Sequence, residues 1–178
     1  MLTAPAFRRI SGSLFLLADI VLLLSNYHSL NYLYLIAAIL FISCAIALYL
    51  SANNHRWLFY NAVAVILGYA LVSFTDSGSG ALSQYIGGIV GIIGGFLILR
   101  AAFQREYNKQ YSFPKPFDLI DKYPMAGAGA IEGMSATLIF VGSLMNQNTV
   151  LTLVAFIWMV AHTCLFLSDE YLRARLKM

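Results

Sequence analysis

Residues 82–103 read LSQYIGGIVGIIGGFLILRAAF, and this stretch decides the fold. From Leu82 to Leu99 it contains no charged residue. A helix rises about 1.5 Å per residue, so a helix of this length crosses a hydrocarbon core of about 30 Å. An apolar segment of this length and purity predicts a transmembrane helix.

Five further apolar stretches of similar length accompany this one. They cover residues 10–25, 32–50, 57–74, 126–145 and 149–168. The six stretches use most of the 178 residues and leave no room for a separate soluble domain. A composition with 60% hydrophobic and 11% charged residues agrees. We therefore expect an all-α membrane protein, a single polytopic domain over residues 1–178 with six transmembrane helices.

The distribution of Lys and Arg predicts the topology. These residues fall at alternate ends of the apolar stretches: Arg8, Arg9, Arg56, Arg100, Arg105, Lys109, Lys115, Lys122, Arg173, Arg175 and Lys177. The connections at residues 26–31, 75–81 and 146–149 contain none. Cationic loops stay in the cytoplasm during insertion, so we expect both termini to be cytoplasmic. Short loops without lysine and the lack of a long polar ectodomain favour a bacterial inner membrane, with an organelle membrane as the alternative. The net charge of +3 then reflects topology and anionic headgroups, and no nucleic-acid partner is expected.

Short polar turns join the apolar stretches in pairs and predict three antiparallel hairpins. Small residues recur at similar distances from these turns. The recurrence reflects either triplication of a hairpin or the small-residue bias of membrane helix contacts. The longest connection, residues 104–124, is expected to be cytoplasmic, with an interfacial helix near residues 117–123. It is either a linker between hairpins or a docking surface for a cytoplasmic partner.

Glycines recur every four residues in the fourth stretch and predict close helix packing. Gly87, Gly91 and Gly95 form one ridge, and Gly129 and Gly133 in the fifth stretch are a candidate complementary ridge. In lipid no hydrophobic force draws helices together, so close backbone approach supplies the attraction. The ridge could pack within the six helices or mediate homodimerisation, and the sequence leaves both alternatives open.

Three ionisable side chains lie inside the predicted spans: Asp19, Glu132 and His162. A charge buried in a membrane costs about a few kcal/mol or more, so such residues face the interior and usually pair. Glu132 and His162 each lie fifteen residues from Gln147. We therefore expect them at one depth, about 22 Å from that turn, as a pair. The pair would be a structural clamp or a proton-sensitive switch, since histidine changes charge near neutral pH.

No catalytic motif is recognisable. The sequence contains no Gly-x-Ser-x-Gly elbow, no His-Glu-x-x-His helix and no glycine-rich phosphate loop. Ser135 and Thr137 in the fifth stretch are expected to hydrogen-bond carbonyls of their own helix. We therefore expect that the protein is not an enzyme and that it has no catalytic residues.

No cofactor or metal site is predicted either. Cys44 and Cys164 have no Cys-x-x-Cys spacing and are expected to behave as small apolar residues. His28 and His55 fall at opposite membrane surfaces in the predicted topology, so the three histidines cannot share a metal. Paired histidines that could hold a transmembrane haem are also missing.

Residues 61–103 resemble the HdeD-like acid-resistance membrane proteins. The resemblance rests on features that fall in similar order: Gly68, the turn at residues 75–80, Gly87-Gly88 and Gly94-Gly95. It extends more weakly over the other two hairpins. The resemblance implies an inner-membrane stress-protection protein, with no known catalytic residues to carry over.

Three classes of function remain open. The first is a non-enzymatic membrane component that acts through helix packing, oligomerisation or partner docking, and that serves envelope stress protection if the resemblance holds. The second is a small transporter or channel, perhaps proton-linked, that uses Asp19, Glu132 and His162 for a small solute or a lipid-like substrate. The third is an intramembrane enzyme. The expected partners are the lipid bilayer and either further copies of this chain or another component of a membrane complex.

Overall fold

The computed structural model describes residues 3–27, 32–73, 80–107 and 122–176, and the regular structure in these ranges is entirely helical. The helices are α1 Ala4–Asn26, α2 Tyr32–Ser51, α3 Trp57–Ser73, α4 Ala81–Tyr107, α5 Pro124–Met145, α6 Thr149–Leu167 and α7 Glu170–Leu176. The predicted all-α class is confirmed. The predicted interfacial helix near residues 117–123 and most of the predicted turns at 26–31 and 75–81 lie outside the described residues.

Helix ends follow from local sequence. The Oγ1 of Thr3 accepts a hydrogen bond from the backbone N–H of Ala6 and caps α1. Pro124 opens α5, where its missing N–H costs nothing. The turn between α5 and α6 reverses the chain in three residues because Gln147 adopts a φ of 55°. The Oδ1 of Asn148 then accepts a hydrogen bond from Leu151 N at 3.0 Å and starts α6.

The long helices have the character of membrane spans. Four of them, α2, α4, α5 and α6, are long and apolar enough to cross a membrane, and α3 is a shorter apolar helix. Helix α1 has 23 residues and carries Arg8, Arg9 and Asp19 among its apolar side chains. Large apolar side chains cover the outside of the bundle, among them Leu17, Ile36, Ile39, Leu67, Ile93, Phe96 and Leu153. Such a surface is suited to lipid.

The six long helices form a closed ring in chain order. Each helix packs against its neighbours in the sequence, and α6 packs against α1. In the interior, the ring of Phe41 on α2 lies 5.2 Å from Tyr69 on α3 and 5.1 Å from Trp158 on α6, measured between centroids. Three helices that are not all neighbours therefore meet through aromatic side chains at the centre.

The glycine ridge of α4 faces the inside of this ring. A Cβ added at Gly91 would lie 2.5 Å from the Tyr69 ring of α3, and one at Gly95 would lie 2.7 Å from Ile66 of α3. A Cβ at Gly87 would lie 3.0 Å from Ile139 of α5. Of the two alternatives for the ridge, packing within the chain is the one that the structure contains.

The glycines of α5 have a different partner from the one expected. A Cβ at Gly129 would lie 2.6 Å from the backbone nitrogen of Phe166 on α6, and one at Gly133 would lie 3.7 Å from the Cβ of His162. These glycines therefore let α6 approach and do not complement the ridge of α4. The α4 side of α5 is formed instead by residues such as Ser135 and Ile139.

Hydroxyl groups join helices as well as their own turns. The Oγ1 of Thr137 donates to Gly133 O at 2.8 Å, as expected for a bond within one helix. The expectation for Ser135 is wrong, because its Oγ donates to Gly87 O of α4 at 2.6 Å. Gly87 has no side chain, so α5 comes close enough to reach this carbonyl. The hydroxyl of Ser11 similarly joins α1 to Ala161 O of α6 at 2.8 Å.

Candidate functional site

The three ionisable residues of the predicted spans meet at the centre of the ring. Asp19 on α1, Glu132 on α5 and His162 on α6 line one enclosed cavity, and their exposed fractions are 1%, 2% and 1%. Each of the six long helices contributes at least one residue to the lining of this core cavity. The sequence identified these three residues separately, and the fold brings them to one place.

Glu132 and His162 form a hydrogen-bonded pair. The Oε2 of Glu132 lies 2.9 Å from the Nε2 of His162. The His162 ring meets Phe15 of α1 edge to face, with centroids 4.7 Å apart. On the other side, a Cβ at Gly94 would overlap the Cγ of Glu132. The missing side chain at Gly94 therefore makes room for the carboxylate, and four helices together fix the pair.

Asp19 has a partner on α6. The Nε1 of Trp158 donates a hydrogen bond to the Oδ1 of Asp19 at 2.9 Å, with both groups buried. A buried indole N–H usually finds an acceptor, and here a carboxyl group serves. Trp158 carried no signal in the sequence, because an aromatic residue in an apolar helix is ordinarily part of the core.

Asn61 is a further polar residue of the site that sequence reasoning missed. Its Nδ2 donates to Cys44 O at 3.0 Å and lies 2.9 Å from the Cys44 Sγ. Both side chains line the core cavity. An amide four residues into an otherwise apolar helix was the available signal, since a buried amide needs partners.

The polar side chains that line the core cavity retain unused hydrogen-bonding groups. Within the described ranges, four of their buried atoms have no protein hydrogen-bond partner: Asp19 Oδ2, Asn61 Oδ1, Glu132 Oε1 and His162 Nδ1. All four residues line the core cavity, whose volume of about 10 Å³ is close to the minimum that holds one water. The core cavity can therefore hold about one water, which these unpartnered groups could hydrogen-bond.

The ionisable side chains that line the core cavity are Asp19, Glu132, His162, Cys44 and Tyr69. Neither Lys nor Arg is among the residues that line it. In the part of the chain that the structure describes, no group of three or more His, Cys, Asp or Glu side chains could hold a metal ion.

A network centred on the buried side chain of Arg8 closes one end of the ring. The Nη1 of Arg8 donates to Ser51 O at 3.0 Å and to the Nδ1 of His55 at 3.0 Å. Its Nη2 forms an ion pair with Glu170. Arg8 is 1% exposed. The sequence assigned Arg8 only a topological role, whereas the fold uses it to join α1, the end of α2 and α7.

Asp169 extends this closure to α5. Its Oδ2 accepts hydrogen bonds from the backbone N–H groups of Met125 at 2.9 Å and Ala126 at 3.0 Å. Its Oδ1 accepts from Leu172 N and so caps α7. One carboxylate therefore ties the start of α5 to the start of α7. The sequence signal was an Asp directly before a short helix.

No known protein family, characterised protein or solved structure shows a significant match to this chain. The resemblance to the HdeD-like proteins stays a prediction.

Proposed function

We propose that the protein crosses a bacterial inner membrane six times and moves protons through its core, as a small proton-linked transporter or channel. The observation that carries the proposal is the convergence of Asp19, Glu132 and His162 on one cavity. Ionisable groups inside membrane spans are costly, and they mark ion pathways and proton relays. A bundle that needed only a packed core would be at least as stable with apolar residues there.

The proposed topology places the Arg8 network in the cytoplasm. The contact of Arg8 with Glu170 supports a common side for the two ends of the chain, because it joins α1 to α7. Arg9, Arg56 and Arg173 lie at the same end, where cationic residues favour the cytoplasm. The turn at Gln147 then faces the outside.

In the proposed mechanism a proton passes between Glu132 and His162 along the hydrogen bond that joins them. A proton shared between Oε2 and Nε2 at 2.9 Å can reside on either group with little movement of the helices. Asp19 provides the second acidic group of the same cavity. The proposal includes no covalent chemistry, because the Cys44 thiol contacts the Asn61 amide and not a base. The protein is accordingly proposed not to be an enzyme.

The second candidate is a non-enzymatic membrane component, with the Glu132–His162 pair as a structural clamp and envelope stress protection as its role. The small volume of the core cavity favours it, because a cavity of about 10 Å³ admits no larger solute in this conformation. Homodimerisation through the glycine ridge is not part of this candidate, since Gly91 and Gly95 are occupied by α3.

Proton flux into liposomes separates the two candidates. Purified protein is reconstituted with an enclosed pH-sensitive dye, and a potassium diffusion potential drives protons inward. Transport predicts uptake above that of protein-free liposomes, and loss of this uptake in Glu132→Gln. The clamp predicts no uptake by either protein. Glutamine keeps the size of Glu132 and one hydrogen bond to His162, so the variant is expected to fold.

A further inference from the structure

A second cavity lies at the end of the ring opposite the Arg8 network. This outer cavity has a volume of about 120 Å³, enough for several waters. It is lined by Leu22, Ser25, Asn26, Tyr34, Asn148, Val150 and Leu151. Most of these residues carry uncharged groups that can hydrogen-bond, so water can fill the outer cavity at low cost.

Two buried leucines line the outer cavity on the side that faces the core cavity. Leu22 lies three residues after Asp19, on the next turn of the same face of α1. Leu151 lies seven residues, or two turns, before Trp158 on α6. Asp19 and Trp158 are hydrogen-bonded to each other across the two helices. Both leucines are 2% exposed and line the outer cavity.

The opposite end presents a different barrier. Opening it requires separation of the Arg8–Glu170 ion pair and of the hydrogen bonds from Arg8 to Ser51 and His55. Arg8 is 1% exposed, so separation would leave its buried guanidinium group without these partners, which costs more than the displacement of apolar side chains. A leucine layer can open by side-chain rotation and wetting, as in other hydrophobic constrictions.

We propose that protons and water reach the core cavity from the outer cavity, and that Leu22 and Leu151 form the gate between them. The gate rests on the proposed function for its purpose, since it supplies the route by which protons reach Asp19. Asp19 is then the first acidic group on this route, and the Glu132–His162 pair follows it.

Cys44 provides a native reporter for this route, because its thiol lines the core cavity. In a Cys164→Ser background, purified protein in detergent is exposed to Ag⁺, a small cation that binds thiols. Unreacted Cys44 is then measured with a fluorescent maleimide after denaturation. Leu22→Ala and Leu151→Ala are each expected to speed the loss of reactive thiol by about tenfold, because they lower the cost of local opening.

The matched control is Leu165→Ala. Leu165 is also a buried leucine that lines the core cavity, but it lies three residues after His162, toward the Arg8 network. The rate at which Cys44 reacts with Ag⁺ in Leu165→Ala is expected to stay within about twofold of the parental rate. Local opening at Leu165 does not connect the core cavity to the outer cavity. Leu22→Met conserves side-chain volume, so Cys44 in this variant should also react at the parental rate.

Equal acceleration in Leu165→Ala and Leu22→Ala would show general loosening and overturn the gate. Parental rates in both Leu22→Ala and Leu151→Ala would overturn it as well. Because Ag⁺ access does not measure proton flux, the gate can fail while flux depends on Glu132. Equally, Ag⁺ can reach Cys44 past Leu22 and Leu151 in a protein that moves no protons. Failure of one proposal therefore does not imply failure of the other.

Discussion

The Oε2 of Glu132 on α5 lies 2.9 Å from the Nε2 of His162 on α6, at the centre of a closed ring of six helices. Both side chains are almost fully buried, and the missing side chain of Gly94 creates the space that Glu132 occupies. The pair therefore depends on α4 as well as on the two helices that carry it.

Removal of the Glu132 carboxyl group is expected to destabilise the fold. Glu132→Ala leaves the Nε2 of His162 buried without its partner, at a cost of about 1–3 kcal/mol in the free energy of unfolding. Glu132→Gln retains an acceptor and should lose less. Thermal unfolding in detergent checks the order of the three proteins. Equal melting temperatures for Glu132→Ala and the parent would show that the pair contributes no stability.

An added methyl group is expected to destabilise the protein at Gly94 but not at Gly133. Gly94→Ala places a methyl group against the Cγ of Glu132, and overpacking of this kind costs about 1–3 kcal/mol. Gly133→Ala is the matched control, because its Cβ would lie at an ordinary 3.7 Å from the Cβ of His162. Unfolding temperatures should fall for the first variant only. A larger fall for Gly133→Ala would contradict the packing described around the pair.

Asp169 is expected to hold α5 and α7 together. Asp169→Ala removes the acceptor for the N–H groups of Met125 and Ala126 and also the cap of α7, where loss of a cap costs about 0.5–2 kcal/mol. Asp169→Asn keeps an acceptor oxygen and should be milder. Limited proteolysis near the start of α5 measures the effect. Unchanged cleavage in Asp169→Ala would show that the link is dispensable.

Topology is checked by labelling of single cysteines. In a Cys44→Ser, Cys164→Ser background, Gln147→Cys should react with an impermeant maleimide added outside intact cells, and Asn53→Cys should react only after lysis. Both positions are exposed at opposite ends of the ring, so differences in burial do not confound the comparison. Labelling of Asn53→Cys alone in intact cells would invert the proposed orientation.

Apolar length predicted the helices well, because a stretch that must cross lipid leaves little freedom in composition. Counting residues from Gln147 also anticipated that Glu132 and His162 share a depth. Helix rotation could not be derived from the sequence. Whether Glu132 and His162 face each other was therefore not predictable, and the contact of Gly129 with α6 was not predictable either. Trp158 was missed because its partner, Asp19, is distant in sequence and near only in the closed ring.

The network around Arg8 was missed for a related reason. A cation before an apolar stretch is already explained by topology, so nothing in the sequence indicated that Arg8 is buried. Its partners Ser51 and Glu170 come from opposite parts of the chain, and only the closure of the ring brings them together.

The most direct test of proton movement through the core is the initial rate of proton uptake by liposomes that contain the protein. A proton pathway through the core cavity predicts uptake by the parent protein and background rates for Asp19→Asn and Glu132→Gln. Thr137→Val, a change of one polar group on the exposed face of α5, should keep the parental rate. Parental uptake in both core variants would contradict a proton pathway through the core cavity. Uptake by the parent protein no faster than in protein-free liposomes would contradict it as well.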